Sequence, residues 1–361
     1  MSYEPIQRLE VENYGCIRKA SFTLGPLHAF IGPNDSGKST VLRALRAATQ
    51  FAAGCFSGTP GNWGPFDPMF VPAKPDAAIS LRFRDDLAYR VRNVDGAYDL
   101  RESVFAGSNE VAGASWGRAW DQLGLLHRNP TPDHVATVRN RITQATMVRF
   151  DPDSLRVPAA LIPESQGITF ADERGAGLAS VFDAIMNRDA ESFARIQAEV
   201  RRLFPSVSKV GLINTSESRK EIAVTLTDGT RVGAKALSEG LLYYLGFAAV
   251  QYVDGSRLFL VEEPENGLHP ARISEVMGVL REMSKTSQVV IATHSPLVVN
   301  ELKGDEASVL TRRPGEGTRS VLLMKVPRFE EATKVYELGE FWLSYADGET
   351  EEALLNGTAR R

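Results

Sequence analysis

The sequence has 361 residues, 43% of them hydrophobic and 24% charged, with a net charge of −4 and a pI near 5.9. This acidic balance excludes a chain whose whole surface binds nucleic acid, while two cysteines and five scattered histidines predict neither a disulfide framework nor a histidine metal site. No apolar stretch reaches the ~20 residues that span a bilayer, and the N-terminal residues lack a secretion signal, so we expect a cytoplasmic protein.

The N-terminal segment predicts strands that lead into a phosphate-binding loop. Apolar alternation predicts strands at 6–11 and 20–24, and a short buried strand follows at 27–31. Residues 32–40, Gly-Pro-Asn-Asp-Ser-Gly-Lys-Ser-Thr, then match the pattern G-x-x-x-x-G-K-[ST]. The apolar residues after this segment recur with a 3.6-residue period and predict an amphipathic helix. A strand, a glycine-rich loop and a helix in this order are typical of a nucleotide site.

The residue types of this loop suit nucleotide phosphates. Glycines let successive N–H groups converge on an anion, and the new helix adds its positive end. Lys38 would reach the β- and γ-phosphates, and the Ser39 hydroxyl would coordinate Mg²⁺. The predicted nucleotide-binding residues are Asn34, Asp35, Ser36, Gly37, Lys38, Ser39 and Thr40. For this motif alone, a glycine-rich turn that matches by chance stays open as an alternative.

The middle of the chain is less regular. Residues 54–75, rich in glycine and proline, predict a long irregular excursion, and the Gly/Ser-rich stretch 106–115 predicts another loop. Strands are predicted at 78–83, 87–94 and 220–226, the last with a hairpin turn at 227–230. Helical periodicity covers 132–146 and 177–204. The sequence has no sustained heptad pattern and no internal repeat.

Three further signals lie in the second half. Ser238 precedes the apolar run 241–253 as a helix N-cap, where it could hold an anion, although most such residues only cap. The apolar run 258–261 predicts a buried parallel strand that ends in Glu262 and Glu263, where α/β sheets place ligands. Strand alternation predicts opposite directions for these two carboxylates, and a solvated acidic strand end is the alternative. A second buried strand, 289–292, ends before His294, and a lone histidine is more often structural.

Taken together, the order of these motifs resembles the ABC-type ATPase heads of the RecF, SMC and OLD-like families. The resemblance covers about 1–51 and 235–311, and the segments 147–152, 177–182 and 338–342 look like compact bacterial ATPases of this superfamily. It implies an α/β P-loop NTPase with a mostly parallel core sheet, an antiparallel β subdomain and a helical lobe. The implied parts are a nucleotide-binding core (1–53 and 235–326), an inserted lobe (54–234) and a C-terminal extension (327–361).

The resemblance also implies roles for individual residues. Lys38 and Ser39 become phosphate and Mg²⁺ ligands, Glu262 becomes the Mg²⁺-side carboxylate, Glu263 the general base, and His294 a contact of the γ-phosphate. Ser238, Glu239 and Gly240 would contact the nucleotide of the other subunit, and Asn266 would lie in a loop linking the two active sites. The implied assembly is a head-to-tail homodimer that binds ATP and Mg²⁺ and hydrolyses ATP to ADP and phosphate.

This sequence departs from the wider ABC pattern in several places. Many ABC heads have Asp where Glu262 stands, and the signature is L-S-E-G-L rather than the L-S-G-G-Q of transporters, which argues against a transporter subunit. The glutamine loop has only the weak candidates Gln144 and Gln166. The 199 residues between Lys38 and Ser238 leave no room for coiled arms, and the 50 residues after Thr311 are too few for a TOPRIM nuclease domain.

Two functional classes therefore stay open. In the first, the chain engages DNA in repair or recombination when ATP closes the dimer, and Arg139, Arg141, Arg149 and Arg156 form a local basic cluster in its favour. A solvated helix surface explains such a cluster equally well. In the second, the chain is the regulatory ATPase of an OLD-like antiphage defence system and controls a separately encoded nuclease or toxin effector.

Overall fold

A computed structural model describes residues 3–53, 76–94, 100–116, 126, 132–142, 144–313, 317–326, 329–333 and 336–343. The predicted excursion 54–75 and Cys55 lie outside the described residues. The chain forms two compact units. The first contains Met1–Thr146, Ser256–Glu263 and Ser284–Arg361, and the second contains Met147–Gly255 and Pro264–Met283.

The elements follow the chain in this order. The first unit begins with β1 (Arg8–Tyr14), β2 (Ile17–Thr23), β3 (Leu27–Ile31), α1 (Lys38–Ala52), β4 (Ala78–Arg82), β5 (Leu87–Asn93), β6 (Leu100–Ala106), β7 (Asn109–Trp116) and α2 (Asp133–Arg141). The chain passes into the second unit along β8 (Thr146–Val148), followed by α3 (Pro152–Leu155), β9 (Ala159–Ala160), α4 (Leu178–Arg188), α5 (Ala190–Leu203), β10 (Val207–Asn214), β11 (Arg219–Leu226), β12 (Arg231–Gly233), a 3₁₀ turn (Ala234–Ala236) and α6 (Glu239–Val250). The remaining elements are β13 (Leu258–Glu262), α7 (Pro270–Met283), β14 (Gln288–Thr293), α8 (Pro296–Asn300), β15 (Ala307–Arg313), β16 (Gly317–Leu322), a 3₁₀ turn (Leu323–Lys325), α9 (Phe329–Ala332) and α10 (Leu338–Leu343).

The core sheet of the first unit is mostly parallel. Its strands follow the order β16-β15-β3-β14-β13, in which β15, β3, β14 and β13 are parallel and β16 is antiparallel to β15. All residues of β3, β13 and β14 are buried, as expected for strands covered on both faces. The predicted strands at 27–31, 258–261 and 289–292 are therefore confirmed.

A second sheet of the first unit is antiparallel, with the order β2-β1-β4-β5-β6-β7. Helix α1 contacts β13 and β14 of the core sheet as well as β1 and β4 of this sheet. Its apolar residues are accordingly buried, among them Val41, Leu42, Leu45 and Ala48. The helix that begins at the phosphate-binding loop thus joins the two layers and fixes the loop against the core sheet.

The second unit is built from helices and a small antiparallel sheet. Strands β10, β11 and β12 pair in sequence, and α4 and α5 pack on β11 and β10. Helix α6 contacts α3, α4 and α7, which explains why Leu241–Val250 is buried along the whole run rather than on one face. No helix among the described residues is long and apolar enough to cross a membrane.

One sequence prediction of secondary structure is wrong, and two predicted helical regions are confirmed as helical but differ in extent. The predicted loop 106–115 is a hairpin, because β7 pairs with β6 over most of its length and only Gly107, with φ 61°, and Ser108 form the turn. The predicted helix 132–146 ends at Arg141, since Ile142 is already extended. The helical region 177–204 is two helices, because Asp189 leaves the helical conformation and accepts a hydrogen bond from the Ser192 N–H at 3.0 Å.

Candidate functional site

The loop between β3 and α1 has a backbone that requires glycine at two positions. Gly32 has φ 151° and Gly37 has φ 106°. A Cβ atom on Gly32 would collide with the Leu310 carbonyl oxygen, and one on Gly37 would lie 2.6 Å from Thr318 Oγ1. Both obstacles belong to β15 and β16, so the hairpin beside β3 leaves space only for a bare backbone.

The same hairpin holds the loop in place. The Thr318 hydroxyl donates a hydrogen bond to the Ser36 carbonyl at 3.0 Å. Cys16 lies in the turn directly before β2. Its Sγ atom is 3.4 Å from Thr40 Oγ1 and 3.5 Å from Thr318 Oγ1. Two distant parts of the chain, at Cys16 and Thr318, therefore fix the curve of the phosphate-binding loop.

Lys38 is the first residue of α1 and is almost fully buried. Its ammonium donates hydrogen bonds to the carbonyls of Gly32 and Pro33, each at 2.7 Å. These bonds hold the positive charge inside the curve of the loop, where a phosphate oxygen would accept from it. The following residue, Ser39, is exposed at the N-terminal end of the helix.

An open cavity of about 290 Å³ lies over this loop. Its lining consists of Cys16, Asn34, Asp35, Gly37, Lys38, Ser39, Thr40, Arg43, Glu263 and Arg312. Six of the seven predicted nucleotide-binding residues line it, and the seventh, Ser36, is buried behind the loop. Three cations and two carboxylates face the cavity, which gives it the mixed charge expected of a site for a metal-bound phosphate.

The two adjacent glutamates have different environments. Glu262 ends β13 opposite Ala292 and is only 7% exposed. Glu263 lies beyond the strand with φ 48°, donates its N–H to the Ala292 carbonyl at 2.8 Å and lines the cavity. Strand alternation does not explain the different directions of the two carboxylates, because β13 ends at Glu262. The left-handed backbone of Glu263 directs the second carboxylate into the cavity.

His294 follows β14, directly beside this carboxylate. Its Nδ1 atom lies 3.4 Å from Glu263 Oε1, and the two side chains are 48% and 32% exposed. Parallel pairing of β13 with β14 explains the meeting, because the carboxyl ends of parallel strands lie at one edge of a sheet. The structure therefore brings together Glu263, His294 and the phosphate-binding loop.

The predicted signature residues lie in the second unit. Ser238 caps α6, and its hydroxyl accepts a hydrogen bond from the Leu241 N–H at 3.4 Å. Glu239 and Gly240 form the first turn of the helix. Asn266 precedes Gly267, whose φ is 68° and whose missing Cβ leaves room for the Tyr243 ring. The predicted capping role of Ser238 is confirmed.

The glutamine candidates have structural bonds of their own. The Gln144 carbonyl accepts a hydrogen bond from the Ser256 hydroxyl at 2.9 Å, and the Gln166 carbonyl accepts one from Arg188 at 2.8 Å. Neither residue is among those that line the cavity.

Sequence reasoning missed four residues of the cavity region: Cys16, Arg43, Arg312 and Thr318. None belongs to a motif, and only Arg43 had a local signal, because it follows Ser39 by one helical turn on the same face of α1. Arg312 and Thr318 reach the loop through strand pairing between distant parts of the chain, and Cys16 reaches it from the turn between β1 and β2.

The donor set fits Mg²⁺ bound together with phosphates. Among the described residues no group of three or more His, Cys, Asp or Glu side chains could hold a metal ion by itself. Ser39 and Glu262 offer a hydroxyl and a carboxylate, and Mg²⁺ commonly takes its remaining ligands from water and phosphate oxygens. The residues present therefore suit a metal that arrives with its nucleotide.

Comparison with known proteins gives one family and one fold. Residues 27–300 match the family described as "AAA domain, putative AbiEii toxin, Type IV TA system". The OLD nuclease of Thermus scotoductus (strain ATCC 700910 / SA-01) is 48% identical over 40 residues, which are 11% of this chain and only 8% of that protein.

Two similar solved structures are SMC heads. One is an SMC head bound to the C-winged helix domain of ScpA, 16% identical, with a TM-score of 0.57 over 90% of this chain and 99% of that chain. The other is an Smc head domain with an extended coiled coil bound to the C-terminal domain of ScpA, derived from Pyrococcus furiosus, 15% identical, with a TM-score of 0.52 over 93% and 98%.

The similarity to SMC heads confirms the predicted fold class, a P-loop NTPase of the ABC-type head architecture. The short match to an OLD nuclease agrees with the resemblance to the RecF, SMC and OLD-like superfamily. The family match spans most of the chain, from β3 through α8, and includes the phosphate-binding loop, both glutamates and His294. The chain therefore belongs to the AAA-domain family described as "AAA domain, putative AbiEii toxin, Type IV TA system", and its fold is that of an SMC/RecF/OLD-like ATPase head.

Proposed function

We propose that this chain binds ATP with Mg²⁺ and hydrolyses it to ADP and phosphate. The observation that carries the proposal is the position of Glu263, which lines the same cavity as Lys38 and Ser39 although these residues are far apart in sequence. A carboxylate beside a phosphate-binding loop can accept the proton of an attacking water. Family membership supports the same reaction.

The chain's own residues divide the work as follows. The loop N–H groups and the Lys38 ammonium hold the phosphates, and Ser39 and Glu262 are the Mg²⁺-side ligands. Glu263 orients the attacking water and takes its proton, and His294, 3.4 Å from that carboxylate, contacts the γ-phosphate. Mg²⁺, when bound, neutralises charge that develops on the phosphate oxygens.

The proposal includes a head-to-tail homodimer. Ser238 lies at the N-terminal end of α6, whose first N–H groups can hold an anion, and Glu239 and Gly240 form the first turn of that helix. In the dimer these residues complete the partner's nucleotide site, and Asn266 lies in the segment that links the two sites. ATP therefore acts as the bridge between subunits, and hydrolysis releases it.

In this proposal, ATP binding and hydrolysis control the engagement of DNA in repair or recombination, within the cytoplasm. The arginines that favoured DNA at the sequence level support it less in the structure. Arg141 pairs with Asp85 at 2.6 Å and with Glu4 at 2.8 Å, and Arg156 pairs with Asp153 at 3.0 Å. The charges of Arg141 and Arg156 are therefore already neutralised, and the main support for DNA binding comes from another surface, the outer face of the antiparallel sheet.

A second candidate output is control of a separate nuclease or toxin effector in antiphage defence. The 40-residue match to an OLD nuclease favours this output. It covers too little of that protein to carry over a nuclease activity. Copurification of a nuclease with the tagged chain, released by ATP, would support it over DNA engagement.

The test of the central proposal is nucleotide binding and phosphate release by the Lys38→Ala variant. Removal of the ammonium should abolish ATP binding in calorimetry and ATP turnover, because the lysine is the main side-chain partner of the phosphates. Lys303→Ala, which removes an exposed charge in the same unit, is the matched control and should behave as wild type. Undiminished ATP affinity in Lys38→Ala would overturn the assignment of the loop.

A further inference from the structure

The outer face of the antiparallel sheet is rich in arginine. Along β1, β4 and β5, the residues Leu9, Val11, Ile79, Leu81, Tyr89 and Val91 alternate toward the interior and are fully buried. The residues between them point to the opposite face. That face, which we name the arginine face, carries six cations: Arg8, Lys19, Arg82, Arg90, Arg92 and Arg101.

Two pairs of arginines lie directly opposite each other on neighbouring strands. Arg8 on β1 is the register partner of Arg82 on β4, and Arg92 on β5 is the partner of Arg101 on β6. Like charges at directly opposed positions of a sheet repel and destabilise it. The arrangement is unfavourable for the isolated fold and becomes favourable when an anion lies across the pairs.

Three glutamates on this face neutralise only part of the charge. Glu10 pairs with Arg82 at 2.9 Å, and Glu110 pairs with Arg101 at 2.5 Å. Glu12 is shared between Lys19 and Arg90, each at 3.0 Å. Each opposed arginine pair thus has one member with a carboxylate partner.

The other members, Arg8 and Arg92, have no carboxylate partner in the part of the chain that the structure describes. Six cations and three glutamates give the face a charge of +3, on a chain whose net charge is −4. The cationic side chains are also accessible: those of Arg82, Arg90 and Arg101 are 43%, 35% and 40% exposed. The charge is therefore a local concentration that a partner can reach.

We propose that the arginine face binds the phosphate backbone of duplex DNA. This inference rests on the proposed engagement of DNA and names the surface that contacts it. Arg8 and Arg92 lie two strands and four residues apart, roughly 16 Å from strand spacing and rise. One phosphate ion cannot touch both. A duplex carries one negative charge per ~1.7 Å of its axis and can touch both at once.

Two further features of the face favour a nucleic acid over a membrane. The residues between the arginines, such as Ala78, Ser80, Ala88 and Ser103, are small and are themselves buried, so the surface that a partner meets is formed by the long arginine side chains. Large exposed hydrophobic side chains are absent from β1, β4, β5 and β6, and β7 exposes Val111 to 39%, which is too little apolar surface for insertion into lipid. Contacts of this kind read the phosphates and not the base sequence.

The test compares DNA binding by wild type and by the double variant Arg8→Gln/Arg92→Gln. Fluorescence anisotropy of a labelled duplex of ~30 base pairs is measured at several salt concentrations, with and without ATP. Each phosphate contact contributes about −0.9 to the slope of log K against log salt, so the variant's slope should be shallower by about 2, and its affinity at low salt should fall at least ~10-fold.

Two matched variants distinguish a specific contact of the arginine face with DNA from a general effect of the protein's net charge. Lys303→Gln/Lys325→Gln removes the same charge from exposed positions elsewhere in the first unit and should keep the wild-type slope. Arg8→Lys/Arg92→Lys keeps the charge and should keep most of the affinity. Because opposed arginines repel, the melting temperature of free Arg8→Gln/Arg92→Gln should equal or exceed that of wild type.

Several results would overturn the inference. They are an unchanged salt slope in Arg8→Gln/Arg92→Gln, an equal loss in the lysine control, or a clear fall in the melting temperature of the free variant. Competition by polyglutamate as strong as by unlabelled duplex would instead assign the face to an acidic protein segment. Phosphate release is measured in parallel: normal ATP turnover with no DNA binding removes only this inference, whereas absent turnover in wild type removes the proposed ATPase.

Discussion

Replacement of Glu263 by Gln tests the chemistry of the site with little disturbance of its shape. The carboxylate lines the cavity over the phosphate-binding loop, is 32% exposed and lies 3.4 Å from His294. Gln has the same length and accepts a left-handed φ no worse than Glu, so the 48° backbone at this position should persist. What changes is the capacity to take a proton.

The expected loss follows from that single change. General acid–base catalysis contributes about 10²–10⁴-fold, so ATP turnover should fall by this factor, equivalent to about 3–5 kcal/mol of barrier. ATP affinity should stay near wild type, because Lys38 and the loop N–H groups are untouched. Phosphate release under saturating ATP gives the first quantity, and calorimetry with ATP gives the second.

Glu262→Gln is the matched control, one residue earlier in the chain. This carboxylate is 7% exposed at the end of β13, and we propose that it serves the metal. Its loss should weaken Mg²⁺-dependent binding, and excess Mg²⁺ should partly restore it. If Glu263→Gln hydrolyses ATP at the wild-type rate, or if Mg²⁺ restores its turnover, the assignment of the general base is wrong.

Two further predictions address assembly and pH. Ser238→Arg should prevent the tight dimer that ATP forms in wild type, measured by light scattering with ATP under conditions without turnover; a dimer of equal stability would contradict the composite site. Burial lowers the pKa of His28 from 6.5 to about 4, while its Nε2 lies 3.0 Å from Ser308 Oγ. The folded state therefore keeps this histidine neutral where the unfolded state takes up a proton, so its contribution to stability is lost as pH falls from 6.5 toward 4, by about 2 kcal/mol at pH ~5. Urea unfolding at pH ~7.5 and ~5 should show this loss of unfolding free energy in wild type and a smaller loss in His28→Gln. Equal losses in the two proteins would contradict the prediction.

The sequence predicted the centre of the site because its signals are local. The glycines at 32 and 37, Lys38 and Ser39 lie within one short segment, and the flanking strand and helix have clear periods. Buried apolar strands also made the parallel core sheet predictable, since continuous apolar runs indicate coverage on both faces. Here local preference and the fold agree.

Prediction failed where a residue reaches the site through long-range pairing. Thr318 and Arg312 meet the loop because β15 pairs with β3 and β16 pairs with β15, a register that no local pattern encodes. The wrong loop at 106–115 has a related cause. Glycine and serine content indicated a turn, but pairing with β6 holds these small residues in a strand.

Glu263 shows most clearly how the site departs from local preference. Among the described residues other than glycine, five have positive φ: Asn13, Asp35, Asp76, Asp86 and Glu263. Asn and Asp tolerate this region because their short side chains bond to the local backbone, whereas Glu has no such compensation and costs about 1–2 kcal/mol there. The fold maintains the strained residue through the hydrogen bond from its N–H to the Ala292 carbonyl. Glycine would remove the strain and lose the carboxylate, so the presence of glutamate at this turn is best explained by the need for a carboxylate in the cavity.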